Sequence, residues 1–111
     1  MHRFFSADEH PWEQVSQGIK RKIVGFTDDL MAIHLCYDKG ASGTIHRHEI
    51  HDQIVYVVSG RFEAIVDGQK RELKAGDAFM VKKLLDHGAT ALEQDSVLLD
   101  IFSPSREDCL S

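Results

Sequence analysis

The sequence predicts an all-β protein, built as a single barrel or sandwich of short strands. Apolar and β-branched runs recur along the chain and are separated by clusters of glycine, aspartate and serine. After residue 18, no stretch has the 3.6-residue apolar period of an amphipathic helix, and no internal repeat is visible. Many short strands joined by glycine-rich turns are typical of all-β folds.

Length and composition limit the class of protein. The chain has 111 residues, the size of one domain, and its 42% of hydrophobic residues excludes a disordered chain. The net charge of −5 argues against nucleic acid and membranes as partners. The two cysteines, Cys36 and Cys109, form no Cys-x-x-Cys pair, and the first residues lack an apolar signal core. We therefore expect a cytoplasmic protein.

Residues 1–18 read as a short N-terminal arm, and residues 19–111 as the single domain. The arm is mostly polar, but it carries large apolar side chains that we expect to fasten it to the barrel or to a second subunit. These are Phe4, Phe5 and Trp12. Because proline is favoured at a first helical position, Pro11 predicts one helical turn over 11–14.

The domain begins with two predicted strands, 19–26 and 30–37, which flank the turn cluster 27–29. A loop over 38–43 leads to a polar, histidine-rich stretch. The apolar run 53–58 then reads as a buried strand, because a serine and a glycine end it directly.

The second half of the domain contains the clearest turn signal. Asp67-Gly68 lies between the strand-like runs 61–66 and 69–74, and this dipeptide is favoured in two-residue hairpin turns. The remaining predicted elements are a short strand over 78–81, a loop over 82–87, a weak strand over 88–92 and a last strand over 97–102. Ser103-Pro104 ends that strand, since proline lacks the amide hydrogen that a sheet requires.

The histidine-rich stretch predicts a metal site. In an extended chain, His46 and His48 point to the same face, with their Cα atoms roughly 6–7 Å apart, so both imidazoles can reach one ion. Gln53 follows shortly after, and His87 is a fourth candidate ligand downstream. The alternative is that these histidines are ordinary surface residues.

The same stretch resembles the first cupin motif: a glycine, five residues, His-x-His, three or four residues, a glutamate, six residues and a glycine. The matching residues are Gly40, His46, His48, Gln53 and Gly60. The second cupin motif begins Gly-Asp and reaches a histidine eleven residues after its glycine, which matches Gly76, Asp77 and His87. This resemblance, over residues 40–91, implies a small double-stranded β-barrel, or jelly roll, that holds one divalent metal.

Two departures from the cupin pattern matter. Lys82 and Leu84 replace the proline and inner glycine of the second motif, which should only reshape a loop. Gln53 replaces the glutamate of the first motif, so the ligand set carries no negative charge and the ion keeps its full +2. Glu49 and Asp52 are acidic alternatives. Glu49 directly follows His48 and so points to the opposite face.

Longer stretches resemble the KdgF-type proteins of pectin and alginate breakdown, which carry the glutamine form of the first motif. These stretches are PWEQVSQGIKRKIVGFTDDLM, HDQIVYVVSGRFEAIVDGQKRELKAGDAFM and LLDIFSPSRED. The resemblance implies an enzyme that opens the ring of 4,5-unsaturated monouronates to linear keto-uronates. It implies metal ligands at His46, His48, Gln53 and His87, and pocket residues at Asp100, Phe102 and Arg106.

Strand parity agrees with this pocket. Leu98, Asp100 and Phe102 share one face of the last predicted strand, which suits a barrel lumen, and the opposite aliphatic face should pack between sheets. In the implied reaction, Arg106 would fork onto the substrate carboxylate and Asp100 would carry a proton. The alternatives are an outward surface carboxylate for Asp100 and a solvated salt bridge for Arg106.

Several points stay open at this stage. A non-catalytic metal- or sugar-binding module and a metal-dependent dioxygenase are competing functions for the same barrel.

The metal is a divalent transition ion such as nickel, zinc, manganese, iron or cobalt, because imidazole and amide ligands admit all five. His34 lies on a central strand and has a chance of facing the lumen. Because a small open barrel has sheet edges to protect, we expect a homodimer.

Overall fold

A computed structural model describes residues 3–109, apart from the side chain of Cys109. Nine strands and two short 3-10 helices make up the regular structure of this range. The strands are β1 (Glu13–Ser16), β2 (Ile19–Phe26), β3 (Met31–Tyr37), β4 (Asp52–Ser59), β5 (Arg61–Val66), β6 (Gln69–Lys74), β7 (Ala78–Val81), β8 (His87–Ala91) and β9 (Ser96–Ser103). The 3-10 helices are Ala7–Glu9 and Glu107–Cys109. The all-β prediction is confirmed, and in the described range no helix has the length and apolar character needed to cross a membrane.

The strands form two antiparallel sheets. The larger sheet has the order β1-β2-β3-β9-β4-β7, and the smaller has the order β6-β5-β8. The last strand, β9, therefore lies in the middle of the larger sheet, between β3 and β4. This crossover carries the C-terminal residues into the centre of the fold.

The core lies between the two sheets, and β4 shows why. Its side chains alternate between exposed and buried along the strand, the period expected when one face packs inward. Val55 and Val57 point inward from β4 and pack with Phe62 of β5 and Leu73 of β6. Each buried aliphatic or aromatic side chain of this kind contributes roughly 1.5–3 kcal/mol by leaving water.

Strand β9 corrects one expectation about the core. Its aliphatic residues Val97, Leu99 and Ile101 were expected to pack between the sheets, but they lie half-buried on the outer side. The face that carries Leu98, Asp100 and Phe102 is the buried one. Since both faces of β9 contain large apolar groups, only its place in the sheet decides which face turns inward.

The predicted hairpin at Asp67-Gly68 is present between β5 and β6. Both turn residues have positive φ, 49° and 80°, which the two-residue hairpin turn requires. Gly60, between β4 and β5, also has a positive φ, and a Cβ there would lie only 2.1 Å from the Oγ of Ser96. Both turns therefore depend on residues that tolerate a positive φ, namely Asp67 and Gly68 in the first turn and Gly60 in the second.

The N-terminal arm differs from its prediction. The helical turn predicted over 11–14 is wrong, because β1 pairs with the free edge of β2 instead. Phe5 does fasten the arm, with its ring 4.8 Å from that of His10 and 6.0 Å from that of His34. Phe4 does not pack on the barrel, since it is 87% exposed.

Trp12 also fastens the arm. Its ring lies beneath the ammonium groups of Lys20 and Lys22, 5.2 Å and 4.7 Å from the centroid. Both lysines belong to β2, so this contact joins the arm to the neighbouring strand. The division into an arm over 1–18 and a domain over 19–111 stays a prediction.

Candidate metal centre

The histidine-rich stretch joins β3 to β4 and meets the start of β8. His46 forms an antiparallel bridge with His87, with backbone N–H···O distances of 3.0 Å and 2.8 Å in the two directions. His48 is held in turn, because its carbonyl accepts a hydrogen bond of 2.8 Å from the amide of Leu84. His87 was predicted in a loop, but the bridge places it on a strand. These backbone contacts bring three histidines from two distant segments together.

The three imidazoles converge. One ring nitrogen from each of His46, His48 and His87 lies within 4.8 Å of the others, and the three could hold one metal ion. The ring centroids are 4.3 Å apart for His46 and His87, 4.9 Å for His46 and His48, and 5.3 Å for His48 and His87. Nitrogen-to-metal bonds of about 2.0–2.1 Å allow ligand nitrogens at such separations to share one ion after small side-chain rotations.

Hydrogen bonds set the ring orientation of two of these histidines. Nδ1 of His46 donates to the carbonyl of Thr44 at 2.7 Å, and Nδ1 of His87 donates to the carbonyl of Leu85 at 3.2 Å. With the proton on Nδ1, the lone pair lies on Nε2, the atom available to a metal. Nε2 of His87 and Nε2 of His48 are buried without a hydrogen-bond partner.

Gln53 contributes a fourth buried polar atom. It starts the inward-facing series of β4, is 6% exposed, and its Oε1 has no hydrogen-bond partner. The Gln53 side chain also hydrogen-bonds to Asp100 on the adjacent strand β9. Because carboxylate oxygens only accept hydrogen bonds when ionised, the amide nitrogen of Gln53 serves Asp100, and Oε1 is left for another partner.

An unmade hydrogen bond at a buried polar atom costs about 1–3 kcal/mol, so several such atoms side by side need an explanation. Three neutral nitrogens and an amide oxygen are a suitable donor set for a divalent transition ion. The residues present therefore fit a bound metal. Asp52, the acidic alternative, is engaged elsewhere, since its Oδ1 accepts a hydrogen bond of 2.9 Å from the amide of Lys83.

Burial favours the neutral form of two of these histidines, His48 and His87. Burial, followed by the charges of Arg106 and the neighbouring histidines, lowers the pKa of His48 to about 4. Burial also lowers the pKa of His87. Because only the neutral imidazole binds a metal, His48 and His87 are ready to accept an ion at neutral pH without first losing protons.

The three predicted pocket residues lie beside the histidines. A cavity of about 160 Å³ is lined by both groups, among them His46, Gln53, His87, Asp100, Phe102 and Arg106. Asp100 is buried, and its Oδ1 has no hydrogen-bond partner. Burial raises the pKa of Asp100 to about 7, although Arg106 and the bond from Gln53 both act to lower it.

Phe102 connects the pocket residues to the histidines. Its ring stands edge-on to His48, at 5.4 Å between centroids, and the guanidinium carbon of Arg106 lies 5.0 Å from its centroid. Phe102 is 1% exposed, and its buried ring contacts both groups.

Two other histidines lie outside the predicted ligand set. His34 does not line the cavity, because it lies on the outer face of β3, against Phe5. The ring of His51 lies 5.6 Å from that of His48, and its Nε2 donates to the carbonyl of Ser105 at 3.3 Å. That contact joins residues 54 positions apart, and no local pattern could have revealed it.

The two-sheet barrel, with three histidines at the mouth of its lumen, defines the class: a cupin with a candidate metal centre. The family profile described as "Cupin domain" matches residues 33–102, so the chain belongs to that family. Within the family, it belongs to the KdgF type. The pectin degradation protein KdgF of Dickeya dadantii (strain 3937) is 54% identical over 110 residues, which are 99% of this chain and 100% of that protein.

Solved structures agree with this placement. The structure of KdgF from Halomonas sp. has a TM-score of 0.94 at 55% identity, and covers 96% of this chain and 98% of its own. An RmlC-like cupin from Shewanella frigidimarina has a TM-score of 0.93 at 41% identity, and covers 98% of this chain and 96% of its own.

Proposed function

We propose that this protein is a metal-dependent enzyme of pectin or alginate breakdown, which opens 4,5-unsaturated monouronates to linear keto-uronates. The similarity to the pectin degradation protein KdgF along nearly the whole chain supports the pathway. The observation that supports the chemistry is one cavity lined by a histidine cluster, a buried carboxyl and an arginine.

In this proposal the metal ligands are His46, His48, Gln53 and His87. A divalent ion held there would stabilise the negative charge that develops on the ring oxygen as the sugar opens. All four ligands are neutral, so they leave the charge of the ion uncancelled, and this favours an anionic sugar over a neutral one. Glutamate in place of Gln53 would cancel one unit of that charge.

Arg106 binds and orients the substrate. The substrate carries a carboxylate, and a guanidinium can hold a carboxylate through two parallel hydrogen bonds. Arg106 lines the cavity above the ring of Phe102, so a sugar whose carboxylate is held there has its ring beside the histidines. Fixed orientation of this kind lowers the entropic cost of reaching the transition state.

Asp100 moves the proton. Ring opening removes a proton from the hemiacetal hydroxyl and later adds one to a carbon of the enol, so a single carboxyl that accepts and then donates serves both steps. Oδ1 of Asp100 is the free acceptor in the cavity, while the hydrogen bond from Gln53 holds the carboxyl in place.

The test is turnover of an unsaturated monouronate made with a pectin lyase. The loss of absorbance of its double bond is followed with protein loaded in turn with nickel, zinc, manganese, iron or cobalt, and with protein stripped by a chelator. We expect turnover above the protein-free rate with at least one metal, none after stripping, and no requirement for oxygen. Dependence on oxygen would indicate a dioxygenase instead, and no turnover with any metal would indicate a binding module.

A further inference from the structure

The guanidinium of Arg106 is already held from one side by a carboxylate. Its Nε donates to Oδ1 of Asp108 at 3.3 Å, and its Nη2 donates to Oδ2 of the same residue at 2.6 Å. The two residues lie in the segment that follows β9, where Arg106 is 24% exposed and Asp108 is 65% exposed. Asp108 is therefore the more exposed partner, and it does not line the cavity that Arg106 lines.

The geometry of this pair leaves half of the guanidinium free. A guanidinium presents two forks to carboxylates, one formed by Nε and Nη2 and the other by Nη1 and Nη2. Asp108 occupies the first fork. Within residues 3–109, Arg106 makes no hydrogen bond through Nη1. The second fork therefore remains able to receive a carboxylate.

The segment that carries this pair is anchored to the barrel just before Arg106. The hydroxyl of Ser105 donates to the carbonyl of Leu30 at 2.8 Å and also to that of Thr27, and its amide donates to the carbonyl of Asp28 at 3.2 Å. The carbonyl of Ser105 accepts the bond from His51. The backbone at Arg106 is therefore fixed, and the remaining freedom lies in its long side chain.

We infer that Asp108 is a positioning residue for Arg106. By holding the Nε fork, it fixes the rotamer of the guanidinium and directs the second fork toward the carboxylate of a sugar acid. The identification of that carboxylate rests on the proposed function. The alternative, that Asp108 competes with the substrate for Arg106, predicts the opposite sign for every effect on binding.

A kinetic cycle distinguishes the two roles. Asp108→Ala should raise KM for the unsaturated uronate by about three-fold and leave kcat nearly unchanged, because an exposed ion pair contributes modestly and acts here on binding. Asp108→Glu, which keeps the carboxylate, should recover part of the loss. Glu107→Gln is the matched control, since it removes the same charge from an exposed neighbour and should change nothing.

The decisive arm is the double variant. Because Asp108 acts through Arg106, adding Asp108→Ala to Arg106→Ala should not raise KM further. An equal effect in both backgrounds, or a lower KM in Asp108→Ala alone, would overturn the inference.

A second readout does not depend on turnover. In zinc-loaded protein, the 15N–1H signal of Arg106 Nε should exchange with water faster in Asp108→Ala than in the parent, while Glu107→Gln leaves it unchanged. D-galacturonate, an unreactive sugar acid, should bind more weakly to Asp108→Ala. If the parent protein turns over no uronate, the proposed function is wrong. If the Nε–H signal or galacturonate binding is unchanged in Asp108→Ala, the positioning role of Asp108 is wrong.

Discussion

Buried polar groups at the two ends of strand β9 differ in whether they have hydrogen-bond partners. At its start, Ser96 is completely buried, and its hydroxyl donates to the carbonyl of Glu93 at 2.8 Å and accepts from the amide of Arg61 at 3.2 Å. Toward its other end, Oδ1 of Asp100 is buried without a partner, as are Oε1 of Gln53 and the Nε2 atoms of His48 and His87.

This difference in hydrogen bonding suggests different roles for the two ends of β9, one in stability and one in function. Where polar groups are satisfied internally, they specify the fold and need nothing else. Where several remain unsatisfied in one place, the fold bears a cost that a ligand or metal can offset. We therefore expect the Ser96 end, here called the closed end, to contribute to stability, and the Asp100 end, here called the open end, to carry the proposed chemistry.

The largest effect should come from the open end. Asp100→Asn keeps the size of the side chain but removes the proposed proton carrier, so kcat for the unsaturated uronate should fall by about 10²–10⁴-fold. Steady-state kinetics with metal content measured on the same sample checks this. Asp29→Asn, in an exposed turn, is the control. If Asp100→Asn keeps the parental kcat with the metal bound, the proton travels through another group.

Removing a histidine should empty the site without unfolding the barrel. His48→Ala should lower metal affinity by at least about tenfold, because one nitrogen of the converging set is lost. His34→Gln is the matched control, since His34 lies on the outer face of β3 and should leave metal binding intact. Titration of each variant with zinc or nickel measures the affinity. Equal affinities for both variants would rule out the three-histidine site.

Gln53→Glu tests the effect of a neutral side chain at this proposed ligand position. The variant should still bind metal, but its affinity for D-galacturonate should fall by a few-fold, because one unit of positive charge at the ion is cancelled. Weak binding of neutral D-galactose is the comparison and should not change. If binding of the sugar acid is unaffected by the substitution, the neutral amide is not there to favour an anion.

The smallest effect on activity belongs to the closed end. Ser96→Ala removes the buried hydroxyl and its hydrogen bonds, so the free energy of unfolding should fall by about 1–3 kcal/mol. Urea denaturation measures this, and metal affinity and kcat should stay at parental values. A loss of metal binding in a folded Ser96→Ala protein would show that the two ends are not independent.

Much of this architecture follows from local sequence. The strand runs, the hairpin at Asp67-Gly68 and the convergence of His46 with His48 depend on side-chain alternation and turn chemistry, which act over a few residues. The spacing of the cupin motifs also predicted His87 as a candidate ligand, and the structure brings His87 close to His46 and His48. The roles of these residues as ligands stay predictions.

The tertiary structure alone decided the rest. It placed β1 as a strand on the edge of β2, turned His34 outward and brought His51 to Ser105. It also chose which face of β9 is buried, although both faces carry apolar residues. Each outcome depends on a partner far away in the chain or on a free sheet edge. Local sequence determines that side chains alternate along a strand, but only the packing of the two sheets determines which face of the strand is buried.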